Sequence, residues 1–308
     1  MSTDWSGGYA VETGYTYHVY PEHQSRPRGP AAAAERAAGP ADPDGVRAGL
    51  RPGLFGGRAC GDAARRRLVG LRLRPAHAVF ARDLVEASGA RANFTDDSVR
   101  GIRRPAGPAG LRLHQPARHL ELDQRRGPGG VIAFLRKKPK PGGVVYLSYN
   151  SQPGWALAAP LRHLMKRHVD TPGRAWAWGR PPIWSRRWRR CSGSSPWTWI
   201  FARLNPAVGE RLQGLMRQDR TYLVHEYMND HWTPMRFAEV EALLAAAKLS
   251  FGTSAWMADH LEGLNLSGDM AAFLRDPARS ASLRETFRDV AVQAQFRRDY
   301  RGYAGRGR

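Results

Sequence analysis

The sequence is poor in cysteine. Two residues, Cys60 and Cys191, among 308 cannot make a disulfide framework, which suits a reducing compartment. No window approaches 18 uninterrupted apolar residues, so no segment is expected to span a membrane. The opening stretch, MSTDWSGGYAVETGY, has neither a basic n-region nor an apolar core. A secretory leader is therefore not expected, and the cytoplasm is the expected location. Acidic residues are scarce as well: 27 Asp and Glu stand against 48 Lys and Arg, a net charge of +21 with a pI near 11.0. Such a balance ordinarily signals nucleic acid or an anionic surface.

The excess of positive charge is local. Residues 23–74 hold 11 Arg against 4 acids, residues 99–130 hold 7 against 2, and residues 173–203 hold 7 against none. These blocks carry +19 of the +21, with both cysteines and six of the ten tryptophans, so the rest is a near-neutral protein. A nucleic-acid-binding module gathers its basic residues on one face of folded elements, whereas the blocks lack helix or strand periodicity. The stretch RRWRRC (186–191) has the composition of a nucleic-acid or membrane patch, but it lies wholly within the third block.

Arginine-rich, Pro/Gly/Ala-rich text is what a GC-rich gene yields when read out of frame. Back-translating LVGLRLRP (68–75) and dropping one base gives WWGCDFD, which runs directly into Pro75. The same shift turns AGLRPGLF (48–55) into ACDLGF and VRGIRRPAGPAGLRL (99–113) into FAEFAARPDLPAFDF. Each product is strand-like, carries acids in place of arginines and joins its in-frame neighbours without a gap. The block at 173–203 gives a leucine-rich, helix-like string with a two-base shift. The three blocks are accordingly expected to be frameshifted text.

Between the blocks the chain reads as ordinary protein. AHAVFARDLVEAS (76–88) places Val79, Phe80, Leu84 and Val85 on one helical face, with Gly89 as a C-cap. ANFTDDS is a short strand ending in Asp96 and Asp97. VIAFLRKKPKPGG is a helix ending before Pro139, VVYLSYN a buried strand running to Asn150, and APLRHLMKRHV a further helix. Beyond residue 205, TPMRFAEVEALLAAAKL predicts a helix with Thr233 as N-cap, Pro234 at N1 and Phe237, Val240, Leu243 and Leu244 inward. LSFGTSAW predicts a strand, and SLRETFRDVAVQAQFRRDY a closing helix.

With the shifted strands restored, the order is strand–glycine loop–helix, strand–acid–helix, strand–DDS, strand, LRKKPKPGG, strand. The in-frame stretches GYAVETGYTYHVYPE, ANFTDDS, LRKKPKPGGVVYLSYNSQPGWA, PLRHLMKRHV, TYLVHEYMNDHWTPMRFAEV and QFRRDY cover about two-thirds of the chain. Together they resemble class I S-adenosylmethionine-dependent methyltransferases. More narrowly, they resemble a bacterial group with a C-terminal methyltransferase regulatory domain that includes protein-lysine methyltransferases. SYNSQPGW and HEYMNDHWTPMRF are the group-specific parts, while PKPGG before a strand is common to many methyltransferases.

The resemblance implies an α/β fold: a Rossmann-like methyltransferase sheet, degraded in its N-terminal half, with a second, mainly helical α+β domain. It implies a methyltransferase domain over 1–170, a linker or helical region over 171–204 and a regulatory domain over 205–302. It implies S-adenosylmethionine as cofactor and a protein lysine amine or a small molecule as methyl acceptor, with no specific nucleic acid and no membrane as partner. In such sheets a glycine loop after the first strand lets backbone approach the cofactor, and an acid after the second bonds the ribose. Asp96 or Asp97, after the third, is expected at the adenine amino group, and Tyr15 and Tyr17 as a lid over the cofactor. Tyr149, Asn150 and Trp155, past the carboxyl end of a strand, are expected to line the substrate mouth. No catalytic residue is assigned.

In the chain as written, GLFGG (53–57) follows AGLRP, and arginines stand where the ribose acid belongs, so cofactor binding is expected to be weak. If the 23–74 block is translated, the first strand pair is expected to be missing or poorly formed. His225-Glu226 resembles the start of a zinc motif, but position 229 is Asn and His231 is at the wrong spacing, so no metal is expected. Two other readings stand beside methyl transfer: a basic nucleic-acid-binding protein, and a catalytically dead interaction module.

Overall fold

The computed structural model describes residues 44–48, 67–71, 92–95, 112–116, 144–170, 200–218 and 220–303, with further helical positions at 79, 82–83, 86–87, 132 and 135–136. Its framework is a seven-stranded sheet made of β1 (Asp44–Ala48), β2 (Arg67–Leu71), β3 (Ala92–Thr95), β4 (Arg112–Pro116), β5 (Val144–Asn150), β6 (Leu249–Ser254) and β7 (Phe296–Tyr303). The spatial order is β3-β2-β1-β4-β5-β7-β6. The strands from β3 to β5 are parallel, and β7 runs antiparallel to both β5 and β6. The order reverses between β1 and β4, the place where open α/β sheets bind ligands at their carboxyl edge.

The first strand pair is present, against the expectation from the translated block: β1 pairs with β2 from Asp44↔Arg67 to Ala48↔Leu71. A parallel ladder is made by backbone N–H and C=O groups, so arginine-bearing text can still supply a strand. What such text does not supply is the acid beyond the strand's end.

β5 is the core strand. Its residues from Val145 to Asn150 are all buried, as befits a strand covered on both faces. Val145, Leu147 and Tyr149 lie on one face and pack with Ile132, Leu135, Met235, Val240 and Leu244. On the other face the ring of Tyr146 meets that of Tyr300 edge-on at 5.7 Å, beside Ala255. Opposite β7, strand β6 is irregular between Phe251 and Thr253. A Cβ at Gly252 would stand 3.1 Å from the Tyr300 carbonyl oxygen, so this bulge favours glycine.

The chain divides into two compact units. Residues 1–15 with 154–232 fall in one and residues 16–153 with 233–308 in the other. Among the described residues the first unit is helical: α1 (Ala159–Val169), α2 (Ile200–Leu204), α3 (Pro206–Arg217) and α4 (Arg220–Tyr227). Leu161, Val208 and Leu212 form one of its apolar clusters. Trp155, Ala158, Met165, Leu215, Leu223 and Tyr227 form another.

In the sheet unit, α5 (Phe237–Ala245), α6 (Glu262–Asn265), α7 (Gly268–Arg275) and α8 (Ala281–Ala291) follow in chain order. α5 buries Phe237, Val240 and Leu244, while Leu243 is half-buried at its edge. Its N-cap is Arg236, not Thr233. The Glu239 carboxylate accepts the Arg236 backbone N–H at 2.8 Å, and the preceding Met235 is engaged in a bridge to Ser151, which delays the helix start. α7 and α8 begin at Ser267 and Ser280, whose hydroxyls accept from the Met270 and Leu283 amides.

The closing helix is shorter than expected. The closing helix stops at Ala291, and the next stretch, FRRDYRGY, is strand β7, because its charged and aromatic residues alternate with period two. Val79, placed on one helical face with Phe80, Leu84 and Val85, is 51% exposed; the other three lie outside the described residues.

Leu244 is fully buried between α5 and β5. Leu244→Ala is expected to cost about 2–5 kcal/mol in urea unfolding, and a loss below about 1 kcal/mol would contradict this placement of the core.

Candidate functional site

β5 ends at Asn150 and leads into the turn Ser151-Gln152-Pro153, whose Gln152–Pro153 peptide is cis. The turn is fastened from two sides by backbone. The Asn150 carbonyl accepts from the Met235 amide at 3.0 Å, and the Gln152 amide donates to the Met235 carbonyl at 3.2 Å. From the other side the Ser151 amide donates to the Gln295 carbonyl at 2.9 Å. The Ser151 hydroxyl lies 3.2 Å from the Gln152 carbonyl oxygen and 3.5 Å from Asp289 Oδ2.

Behind this turn, on the helix-covered face of the sheet, sits a cluster of buried charge. In β7, Arg297, Asp299 and Arg301 share one face by strand alternation, and α8 adds Glu285 and Asp289. Arg297 donates from Nη1 to Asp289 at 2.6 Å, from Nη2 to Glu285 at 2.7 Å and from Nε to Asp299 at 3.2 Å. Arg301 donates from Nη2 to Asp299 at 2.7 Å, and the Tyr149 hydroxyl donates to the same carboxylate at 3.1 Å. Both guanidinium groups lie on the Phe237 ring, at 4.5 and 4.6 Å from its centroid. Their charge is thus stabilised by a ring face as well as by carboxylates.

Three carboxylates share two guanidinium groups here, so the cluster holds one negative charge in excess. Arg288 offsets it only partly, 3.9 Å from Glu285 and 3.4 Å from Glu262 of α6. Asp289 carries the consequence: its pKa is raised to about 7, first by burial, then by Asp299 and Glu285, despite the attraction of Arg297. A close ion pair with a raised carboxyl pKa is consistent, because Arg297 divides its charge among three acids. Burial opposes the charge on Arg297 itself, but Asp299, Tyr149, Asp289 and Glu285 together raise its pKa, so it stays protonated. Burial, and then Asp299, hold the Tyr149 phenol well above its usual range, so it stays neutral and donates.

The sequence-expected residues scatter. Tyr149 is fully buried with its hydroxyl on Asp299, and Asn150 is buried at the strand's end. Trp155 belongs to the helical unit, edge-on to Tyr227 at 5.4 Å and to Trp232 at 5.3 Å, with Arg211 over its ring at 4.2 Å. Its indole N–H has no acceptor among the described residues. Asp96, Asp97, Tyr15 and Tyr17 lie outside the described residues, though β3 ends at Thr95, immediately before the two acids. His225 and Glu226 are buried on α4, and among the described residues no three His, Cys, Asp or Glu side chains are grouped to hold a metal. No helix among the described residues is long and apolar enough to cross a membrane.

The cluster of Glu285, Asp289, Arg297, Asp299 and Arg301 was missed because FRRDY was assigned to a helix. Its signal is the alternation Arg297-x-Asp299-x-Arg301 with Phe296 and Tyr300 on the opposite parity.

Residues 219–301, which take in α4 to α8, β6 and most of β7, match the family model of the predicted methyltransferase regulatory domain. An uncharacterized protein of Synechocystis sp. (sll1526) is 34% identical over 231 residues, covering 73% of this chain and 44% of that protein. The structure of PKMT2 from Rickettsia typhi in complex with AdoHcy is similar over 95% of this chain and 55% of that one, with a TM-score of 0.71 and 15% identity. A second structure of PKMT2 from Rickettsia typhi gives a TM-score of 0.69 at 16% identity, over 94% of this chain and 54% of that one. The fold is therefore that of these two PKMT2 structures, and this chain spans about half the length of the relatives it matches. The regulatory domain contributes β6 and β7 to the sheet itself.

The raised pKa of Asp289 fixes the sign of a pH effect. A carboxyl with a raised folded pKa contributes most stability below its unfolded pKa, and that contribution is lost as pH rises through the folded value. Wild-type stability relative to Asp289→Asn is therefore expected to fall, on the order of a few kcal/mol, between about pH 4 and 7. Urea melts across that range check it, and parallel curves for the two proteins would contradict it.

Proposed function

We propose that the protein is built for S-adenosylmethionine-dependent methyl transfer to a protein lysine amine or a small-molecule acceptor. The observation that carries this is the sheet: β3-β2-β1-β4-β5-β7-β6 with β7 antiparallel, completed by the regulatory-domain strands. The bound AdoHcy of the similar Rickettsia structure supports the choice of cofactor. Methyl transfer from a sulfonium needs little more than alignment, because the methyl group is already activated. The protein's task is to bind the cofactor at the carboxyl edge and hold a nucleophile in line with it.

The donor set of this chain fits that cofactor in part. Glycines 53, 56 and 57 follow β1 within nine residues, as a backbone approach to the cofactor requires, and Asp96 and Asp97 follow β3 directly. After β2, however, come Arg72 and Arg74, with no carboxylate for the ribose hydroxyls. In our reading Asp96 or Asp97 meets the adenine amino group, Tyr15 and Tyr17 cover the cofactor, and the segment from Tyr149 to Trp155 borders the acceptor. Frameshifts in the gene across 23–74, 99–130 and 173–203 account for the missing acid.

Cofactor binding by calorimetry tests this. A chain with the single-base shifts reversed is expected to bind S-adenosylmethionine at least about tenfold more tightly than the chain as written, the worth of one restored hydrogen-bonded carboxylate. Equal affinity in the two would remove the frameshift account. Salt-sensitive RNA binding without cofactor binding in either would favour a basic binding module instead.

A further inference from the structure

The turn after β5 has a hydroxyl with two acceptors and one proton. Ser151 Oγ is 3.2 Å from the Gln152 carbonyl oxygen within the turn and 3.5 Å from Asp289 Oδ2 on α8. Ser151 is fully buried and Asp289 nearly so, while Gln152 is half-buried, so on the Asp289 side water does not relieve the competition. When Asp289 is ionised, both neighbours of the hydroxyl are acceptors and only one is satisfied. When Asp289 carries a proton on Oδ2, it donates to Ser151 Oγ, and the hydroxyl donates onward to Gln152. Every group in the chain of hydrogen bonds is then paired.

We propose that Asp289 is a proton-operated latch on the turn 150–153: protonated, it ties the turn to α8 through Ser151, and ionised, it loosens that tie. The groups facing Asp289 define the setting. From β7 come Arg297, Asp299 and Arg301, from β5 the Tyr149 phenol, and from its own helix Glu285, itself bordered by Arg288 and by Glu262 of α6. Arg297 holds Oδ1 at 2.6 Å, which leaves Oδ2 as the oxygen that takes the proton. The excess negative charge of the cluster favours that protonation, and burial places it near neutral pH. The segment concerned is the one that our functional reading places beside the methyl acceptor. The latch is thus a positioning device whose physical existence does not depend on methyl transfer.

The test therefore uses no methyl acceptor. Hydrogen exchange of the Ser151 and Gln152 amides, which bond to Gln295 and Met235 carbonyls, is followed from pH 6 to 8 in the full chain and corrected for intrinsic exchange. Wild-type protection is expected to fall by about fivefold over this range, the worth of one net hydrogen bond. Asp289→Asn, whose amide donates to Ser151 at every pH, is expected to keep the low-pH protection throughout. Ser151→Ala removes only the hydroxyl and is expected to give pH-independent protection at the lower level, which keeps the test decisive if the Asp289 variant unfolds. A wild-type course that is flat, or that either variant reproduces, would overturn the latch. Loss of cofactor binding with the latch intact would instead count against the functional reading alone.

Discussion

The carboxylate of Asp299 is the point on which the described structure turns. It lies in β7 with no solvent exposure and accepts from Arg297, Arg301 and Tyr149 at once. Isolated, such a charge is too costly to bury, and each guanidinium group is equally untenable alone. The three groups therefore hold one another in place, and Phe237 between the two guanidinium groups ties α5 to them. Through Tyr149 the same carboxylate reaches β5, and through Arg297 it reaches α8. One polar cluster thus binds the two elements that flank the antiparallel strand.

That constraint explains how the regulatory domain takes part in the fold. β7 separates β6 from the parallel strands, so without it the sheet ends at β5 and the hydrogen-bonding edge of that strand is left open. The cluster also stands directly behind the turn that closes the carboxyl edge of β5, where Ser151 meets Asp289. Structural charge and the edge of the candidate site are therefore adjoining parts of one network.

Much of this was legible in the residues. VVYLSYN reads as a buried strand and is β5, and APLRHLMKRHV reads as a helix and is α1, because unbroken apolar runs and helical spacing leave little choice. The helix PMRFAEVEALL was found with its inward face, but its cap was displaced, since the bridge between Met235 and Ser151 is a long-range contact that no local pattern reveals. The strand FRRDYRGY escaped because alternating charge ordinarily marks a solvated face. Only the tertiary partners Glu285, Asp289 and Tyr149 make burial possible. Tyr149 and Asn150 read as the end of a strand and do end β5, while Asp289 gave no sign in a helix with acids and arginines throughout.

The most direct measurement is a double-mutant cycle between Asp299→Asn and Arg301→Met, read by urea unfolding. If the shared carboxylate holds the cluster together, the two substitutions are expected to couple by about 1–3 kcal/mol, the double variant losing much less than the sum of the singles. Additivity within about 0.5 kcal/mol would mean that the two charges are satisfied independently, and it would contradict the central role given to Asp299.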